Sequence, residues 1–435
     1  AGKPQAGRPR IVIFLTDGTP TAGEQNPDII FKNVEQWNTS GSRLFVMGVG
    51  DDVNAHLLDK LAESTYGSSE YITPEEEIDA KVATLYDRLS HPVLTNVKVE
   101  FGELATDSVY PATLPALFKG SEFMIFGRYR GGGKHTISIR GLLNGKETTY
   151  TCSADFQKQE NGDSNEFVAP LWAARNIGFL LQEIRLHGEN EELLKEVVRL
   201  SKKFGIVTEY TEFLGSLGGG IGGGAFSAAA VLDEARSRLA RANAFKAGRW
   251  AVQQARNDRD LQTKMVVGNA ANLYLDRRGK RVGNDGIYQL GARCFYLKQG
   301  QWVDAEEAGD RKTRVVRLFS DEYFKMLREH PEFAKAQKLG WAMSVNVGNE
   351  RVVIEREGKQ QSEKLLERSQ RQQQINPIRN QLEQQIRQQR FNQLNLQQLN
   401  GRGQIPQLNN LRLNNIQQIQ PAPNANDVRR GEKQQ

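Results

Sequence analysis

The feature that most constrains this chain is a six-residue apolar run, Ile11-Val12-Ile13-Phe14-Leu15-Thr16, that stops abruptly at Asp17-Gly18. Apolar, partly β-branched residues without polar alternation mark a strand covered on both faces of a parallel sheet. A parallel strand needs a crossover, and a helix pattern follows over residues 27–38, with Ile30, Val34 and Trp37 on one face and Gly41 beyond its end. Residues 44–49 repeat the apolar strand and close in Gly48-Val49-Gly50-Asp51. A second helix over residues 54–64, a short strand at Tyr71-Ile72-Thr73 and a helix opened by Pro74 and running to about Leu89 complete the series. This β-α-β-α-β-α alternation predicts an α/β fold, a doubly wound sheet, over residues 1–90.

After Pro92 the period changes. Residues 94–101, 123–129, 135–140 and 148–152 read as strands, with turns at Gly131-Gly132-Gly133 and Asn144-Gly145, so an antiparallel β unit is expected over 91–155. It is thin for a sandwich and is expected to borrow strands from elsewhere. Ala173, Ile177, Leu180, Leu181 and Ile184 form one helical stripe; Leu193, Val197, Leu200 and Phe204 form a second, with Asn190 as its N-cap and Gly205-Ile206 as its stop. Together they predict a helical hairpin over 169–214. Seven glycines in residues 215–224 predict a linker over 215–226. One helix over 227–259 opens a segment to residue 284, and a small α+β unit is expected over 285–356, with Ser320 capping a helix to about Lys338.

The formal net charge of +6 resides in the remainder. Residues 357–435 hold 12 Lys and Arg against 6 Asp and Glu, which leaves 46 of each sign in residues 1–356. The same tail carries 21 Gln, 11 Asn and one aromatic residue, Phe391, and is expected to be disordered, since it can bury too little apolar area to offset chain entropy. With the folded part neutral, the basic balance is weak support for a nucleic-acid surface. No run approaches the ~20 apolar residues of a membrane helix. Two cysteines, Cys152 and Cys294, exclude a disulfide-dense scaffold; both read as buried apolar residues. The chain starts at Ala1 with no signal-like segment, and its front is expected to be missing.

Asp17 is the most informative residue for chemistry. It follows the first parallel strand, at the edge where open α/β sheets place their ligands. A carboxylate there, next to Gly18 and the hydroxyls of Thr16 and Thr19, suits a hard cation held by oxygens, while Asp-Gly is equally a plain turn. Nucleotide hydrolysis would need a Gly-rich loop with Lys-Ser or Lys-Thr; Gly131–Lys134 lacks the spacing and precedes His135. The histidines, His56, His91, His135, His187 and His330, show no His pair at i, i+4, and no Gly-x-Ser-x-Gly elbow occurs. The chain is expected not to be an enzyme.

Phe14-Leu15-Thr16-Asp17-Gly18 with Pro20-Thr21, and Phe45-Val46-Met47-Gly48-Val49-Gly50, resemble the second half of a von Willebrand factor A domain. His91-Pro92-Val93-Leu94, Tyr110-Pro111, Leu114-Pro115-Ala116-Leu117-Phe118, Gly127-Arg128-Tyr129, Leu171-Trp172-Ala173 and residues 205–211 are similar to the inter-alpha-trypsin inhibitor heavy chains and their bacterial relatives. The resemblance extends to about residue 214; beyond it, Val303-Asp304 and residues 319–324 resemble the bacterial branch alone. Where the family's Ile-Val-Thr motif continues with Pro, this chain has Glu209.

The resemblance implies an N-terminally truncated chain with a metal-dependent adhesion site built from three loops. Only the third loop is present here, and Asp17 is its aspartate. Mg²⁺, with Mn²⁺ or Ca²⁺ as alternatives, is the cofactor expected of the full-length protein. The implied partner is a protein ligand with an acidic side chain. Location in the secreted, periplasmic or cell-surface space follows from the same resemblance. Three readings remain open: a non-enzymatic protein-binding or adhesion module whose cation site is incomplete in this chain; a structural or scaffolding envelope protein with a vestigial site; and a weak, non-specific nucleic-acid binder acting through the basic tail.

Overall fold

The structure is a computed structural model and describes residues 10–89, 92–111, 114, 116–118, 123–143, 145–157, 165–218, 228–306 and 311–355. The chain divides into two units after residue 357, and the described residues all lie in the first. The tail, most of the Gly-rich linker and His91 lie outside the described residues.

Strands β1 (Ile11–Thr16), β2 (Arg43–Val49) and β3 (Ser68–Ile72) form a parallel sheet in the order β1-β2-β3, connected through helices α1 (Pro27–Trp37) and α2 (Ala55–Ser64) and followed by α3 (Ile78–Leu89). This is the parallel β-α-β-α-β-α course expected of the α/β part. Asn26 caps α1 and Asn54 caps α2, each side chain accepting a backbone N–H of the first turn. Central β2 is sealed: Phe45, Val46 and Met47 are buried, and a Cβ on Gly48 would press on Tyr71, Val53 and Leu58. Edge strand β1 differs from expectation. Val12, Phe14 and Leu15 are 42–44% exposed, because no described strand pairs with its outer edge. Helix α3 starts at Ile78 rather than Pro74, since Glu76 folds back to accept the Thr73 N–H at 2.9 Å and makes a turn there.

The β unit comprises β4 (Pro92–Glu100), β5 (Ala105–Tyr110), β6 (Leu117–Phe118), β7 (Phe126–Arg130), β8 (Gly133–Leu143) and β9 (Lys146–Phe156). Its sheets run β6-β4-β8-β9 and β5-β7, so among the described residues its strand partners come from within the unit. Gly141 in β8 has no room for a side chain, since its Cβ would meet Leu94 at 2.6 Å. Cys152, expected inside, is exposed on β9.

Helices α4 (Val168–His187) and α5 (Glu191–Phe204) form the hairpin, joined by residues 188–190. The Asn190 side chain caps α5 through the amides of Glu192 and Leu193, and Gly205 ends it at φ +64°. After the short α6 (Phe213–Gly218), the single helix expected over 227–259 is two, α7 (Ala228–Asn243) and α8 (Arg249–Gln262). Residues 244–248 separate them, and Gly248, at φ +86°, stands just before α8. The hairpin and α7–α8 enclose a core that includes Ile177, Leu194, Leu200, Leu239 and Leu261.

A small hairpin, β10 (Tyr274–Leu275) with β11 (Arg281–Val282), leads into the last unit. There β12 (Ile287–Leu290), β13 (Arg293–Lys298), β14 (Gln301–Asp304), β15 (Lys312–Arg317), β16 (Met343–Val347) and β17 (Glu350–Glu355) form one mixed sheet in the order β12-β13-β14-β16-β17-β15. Its helix, expected as one, breaks at His330-Pro331 into α9 (Asp321–Glu329) and α10 (Pro331–Ala336), because proline forces a new first turn. Ser320 caps α9 through Tyr323 N at 3.2 Å, and Phe295, Phe333 and Met343 fill the core beneath.

Candidate functional site

Parallel register brings the carboxyl ends of the first three strands to one edge: Thr16 lies beside Gly48, and Val49 beside Ile72. Asp17 follows Thr16 directly and is exposed. The Thr16 hydroxyl turns back on the loop, donating to the Gly18 carbonyl at 3.1 Å and accepting the Gly18 N–H at 3.4 Å. In the second loop, Gly50 at φ +83° donates its N–H to the Ile72 carbonyl at 2.8 Å, and Asp51 takes the Arg249 guanidinium through Nε at 2.7 Å and Nη2 at 2.5 Å. In the third, Glu76 accepts from Thr73 and pairs with Lys81 at 3.2 Å. Two of the edge's carboxylates are therefore matched by cations, and Asp17 and Asp52 stay exposed.

A divalent cation of the Mg²⁺ or Ca²⁺ kind needs six or more oxygens around it. Among the described residues, Asp17 joins no group of three Asp, Glu, His or Cys side chains able to share one ion. With Asp51 held by Arg249 and the Thr16 hydroxyl held by Gly18, the residues present do not make up a complete cation site. Of the carboxylates at this edge, Asp17 and Asp52 stay exposed and outside any ion pair among the described residues.

One group of potential ligands does assemble elsewhere: Glu63 of α2 with Glu183 and His187 of α4, all exposed. His187 Nε2 lies 2.9 Å from a Glu63 oxygen, and Gln182 donates to the other at 3.3 Å, so the group reads as a hydrogen-bonded tie between two helices. Glu183 and His187 share a helix face at i, i+4, a signal available in the sequence; Glu63, 120 positions away, is brought in by the fold alone.

Beneath that tie sits an ion cluster. Arg185, 7% exposed, binds Asp59 through Nη2 at 2.7 Å and Asp258 through Nε at 2.8 Å, and the Tyr71 hydroxyl is 2.6 Å from the other Asp59 oxygen. Burial works against the Arg185 charge, but the carboxylates of Asp59 and Asp258 outweigh it and hold the guanidinium charged. Burial likewise pushes the Asp258 carboxyl up to about 6 while Arg185 pulls it down, so it is ionised at neutral pH. The cluster joins α2, α4 and α8. Nothing in the sequence marks these residues as partners, because they come from three separate segments.

Glu209 lies nearby, at the position that departs from the resembled motif. One oxygen accepts the Trp250 Nε1–H at 3.1 Å, and the other is buried without a partner. Burial pushes its carboxyl up to about 7. Cys294 is 1% exposed and its thiol is pushed up by burial, which makes it a packing residue.

No family model matches the chain. Inter-alpha-trypsin inhibitor heavy chain H4 of Bos taurus is 30% identical over 214 residues, covering 47% of this chain and 23% of the relative. Heavy chain H3 of Mesocricetus auratus is 29% identical over 213 residues, covering 46% and 24%. The chain thus spans about a quarter of the length of the curated relatives it matches. Among solved structures, it aligns with VWA2, the ArnB paralog of Sulfolobus acidocaldarius, at 17% identity over 45% of this chain and 55% of that one, with a TM-score of 0.24. Among the described residues, no helix is long and apolar enough to cross a membrane. Over a segment of somewhat over 200 residues, this chain is similar to the inter-alpha-trypsin inhibitor heavy chains.

Proposed function

We propose that the chain is part of a non-enzymatic protein-binding module whose contact edge is the carboxyl edge of the parallel sheet. The observation that carries the reading is Asp17, an exposed carboxylate free of partners among the described residues, placed where that edge meets solvent. In this reading Asp17 contributes one ligand to a divalent-cation site, Mg²⁺ before Mn²⁺ or Ca²⁺, whose other ligands lie outside the described residues. The protein ligand supplies an acidic side chain, and the setting is extracellular or cell-surface. The relationship to the heavy chains supports this reading over an enzymatic one.

A second reading, a structural or scaffolding protein with a vestigial site, is favoured by Asp51. Its pairing with Arg249 spends a carboxylate at the same edge on an internal contact. The test is made in the full-length protein. Asp17→Ala should weaken Mg²⁺-dependent protein binding at least tenfold with an unchanged thermal melt, since an exposed loop carboxylate adds little to stability. Binding as tight as wild type in excess Mg²⁺ would leave the structural reading standing.

A further inference from the structure

Away from the Asp17 edge, the larger sheet of the β unit ends on a strand that no described strand covers. In the order β6-β4-β8-β9, strand β9 pairs with β8 along its whole length without a bulge and has no strand on its other side among the described residues. Its 11 residues make an edge roughly 37 Å long, along which alternate residues turn their backbone N–H and C=O groups outward. Edge strands are ordinarily guarded by charge, proline, a bulge or short length. Edge strand β15 follows that rule, with Lys312, Arg314 and Arg317 among its six residues. In β9 the charges stand near the ends, at Lys146, Glu147 and Asp155, and the stretch Thr148–Ala154 between them holds no charge, proline or glycine. Threonine and tyrosine, which favour strands, make up most of that stretch.

An apolar strip adjoins the open edge. Ile137 stands beside Cys152 and Ile139 beside Tyr150, and directly opposed residues share a face. Tyr150 is 49% exposed and Cys152 is exposed, while the two isoleucines are half-buried. The order of residues in β9 suits it to its own copy. A two-fold axis normal to a sheet sets one residue opposite itself and pairs the others symmetrically about it. Centred on Thr151, such a ladder would oppose Glu147 to Asp155 of the second copy, like charges at both ends. Centred on Tyr150, it would set two bulky rings against each other and leave Asp155 and Phe156 outside the ladder. Centred on Cys152, residues 148–156 of each copy pair with no like charges opposed. Tyr150 then meets Ala154, Thr151 meets Ser153, and Thr149 offers its hydroxyl to Asp155 at both ends.

We propose that β9 pairs antiparallel with β9 of a second copy of this chain, about a two-fold axis at Cys152, joining two four-stranded sheets into one. A ladder of this length lies at the small end of specific interfaces, so the dimer is expected to form at about 10–100 µM. Sedimentation of the chain under reducing conditions across that range tests it. Cys152→Lys sets two like charges face to face at the axis and should weaken the dimer at least about tenfold. The position is exposed, so the thermal melt of the variant should not move. Cys152→Ser should dimerise as the wild type does. The register is read with diamide after the reductant is removed; diamide takes up two electrons and two protons as a pair of thiols forms an S–S bond. Opposed residues lie about 4.5–5.5 Å apart at Cα, within disulfide reach, so the wild-type dimer should become covalently linked. Cys294 is buried and cannot substitute, so Cys152→Ser should stay unlinked. A chain still monomeric at about 100 µM, or self-association unchanged in Cys152→Lys, would overturn the proposal. A dimer that diamide fails to link would overturn the Cys152 register.

Discussion

Glu209 shows how a single side chain sets a property of the whole chain. Its carboxyl has one oxygen buried without a partner and one that accepts the Trp250 indole N–H, and burial raises its pKa against the lowering by Trp250, Tyr210 and Asn257. In the unfolded chain it ionises near 4.5; in the folded chain it keeps its proton to about 7. Between those values the native state binds more protons than the unfolded one, so stability falls as pH rises. The pKa difference corresponds to about 3 kcal/mol at 1.36 kcal/mol per unit. Glu209→Gln keeps an acceptor for Trp250 and removes the titration. Urea unfolding should therefore show the variant more stable than wild type by about 2–3 kcal/mol at pH 8 and nearly equal at pH 4. The variant should retain a shallower decline from pH 4 to 6, from Asp258, whose carboxyl is also raised by burial. Equal stability of the two proteins at pH 8 would mean that Glu209 has a partner or reaches water.

At the scale of elements, the hairpin holds the layers together. Trp172, 7% exposed near the start of α4, donates its indole N–H to the Ser108 carbonyl of β5 at 3.0 Å, and Arg128 of β7 stands over the ring. Trp172→Ala should cost about 3–5 kcal/mol, as for other large core truncations; a loss below about 1 kcal/mol in a denaturant melt would detach the helix from that sheet. On another face of the helix, a Cβ on Gly178 would meet the Asp258 carbonyl and the Gln262 amide at 2.8 Å, so α4 and α8 touch backbone to backbone. Much of this was legible in the sequence. The apolar stripe of α4, the Asn190 cap and the Gly205 stop are local signals, and each acts locally in the structure. What the sequence obscured were breaks inside an otherwise continuous pattern, the five residues 244–248 between α7 and α8 and Pro331 between α9 and α10. The reading of β1 as doubly covered failed differently. Apolar content tells that a strand's faces are to be buried, but the structure here leaves Val12, Phe14 and Leu15 open. The Arg185 cluster was invisible because its members share no period and no proximity in the chain.

For the molecule as a whole, charge and chemistry are kept apart. Residues 1–356 balance, and the net +6 belongs to residues 357–435. Within the described part some carboxylates are held by cations, as Asp51 is by Arg249 and Asp59 and Asp258 are by Arg185. Asp17 is exposed and outside any such pair, and the proposed binding edge depends on it. In the proposed function Asp17 is one ligand of a cation site that the described residues do not complete. A calorimetric titration of this chain with Mn²⁺, beside its Asp17→Ala variant, tests that most directly. No saturable site dependent on Asp17 is expected up to about 1 mM, the weak end of carboxylate cation sites. One saturable site in the wild-type chain that vanishes in Asp17→Ala would contradict it.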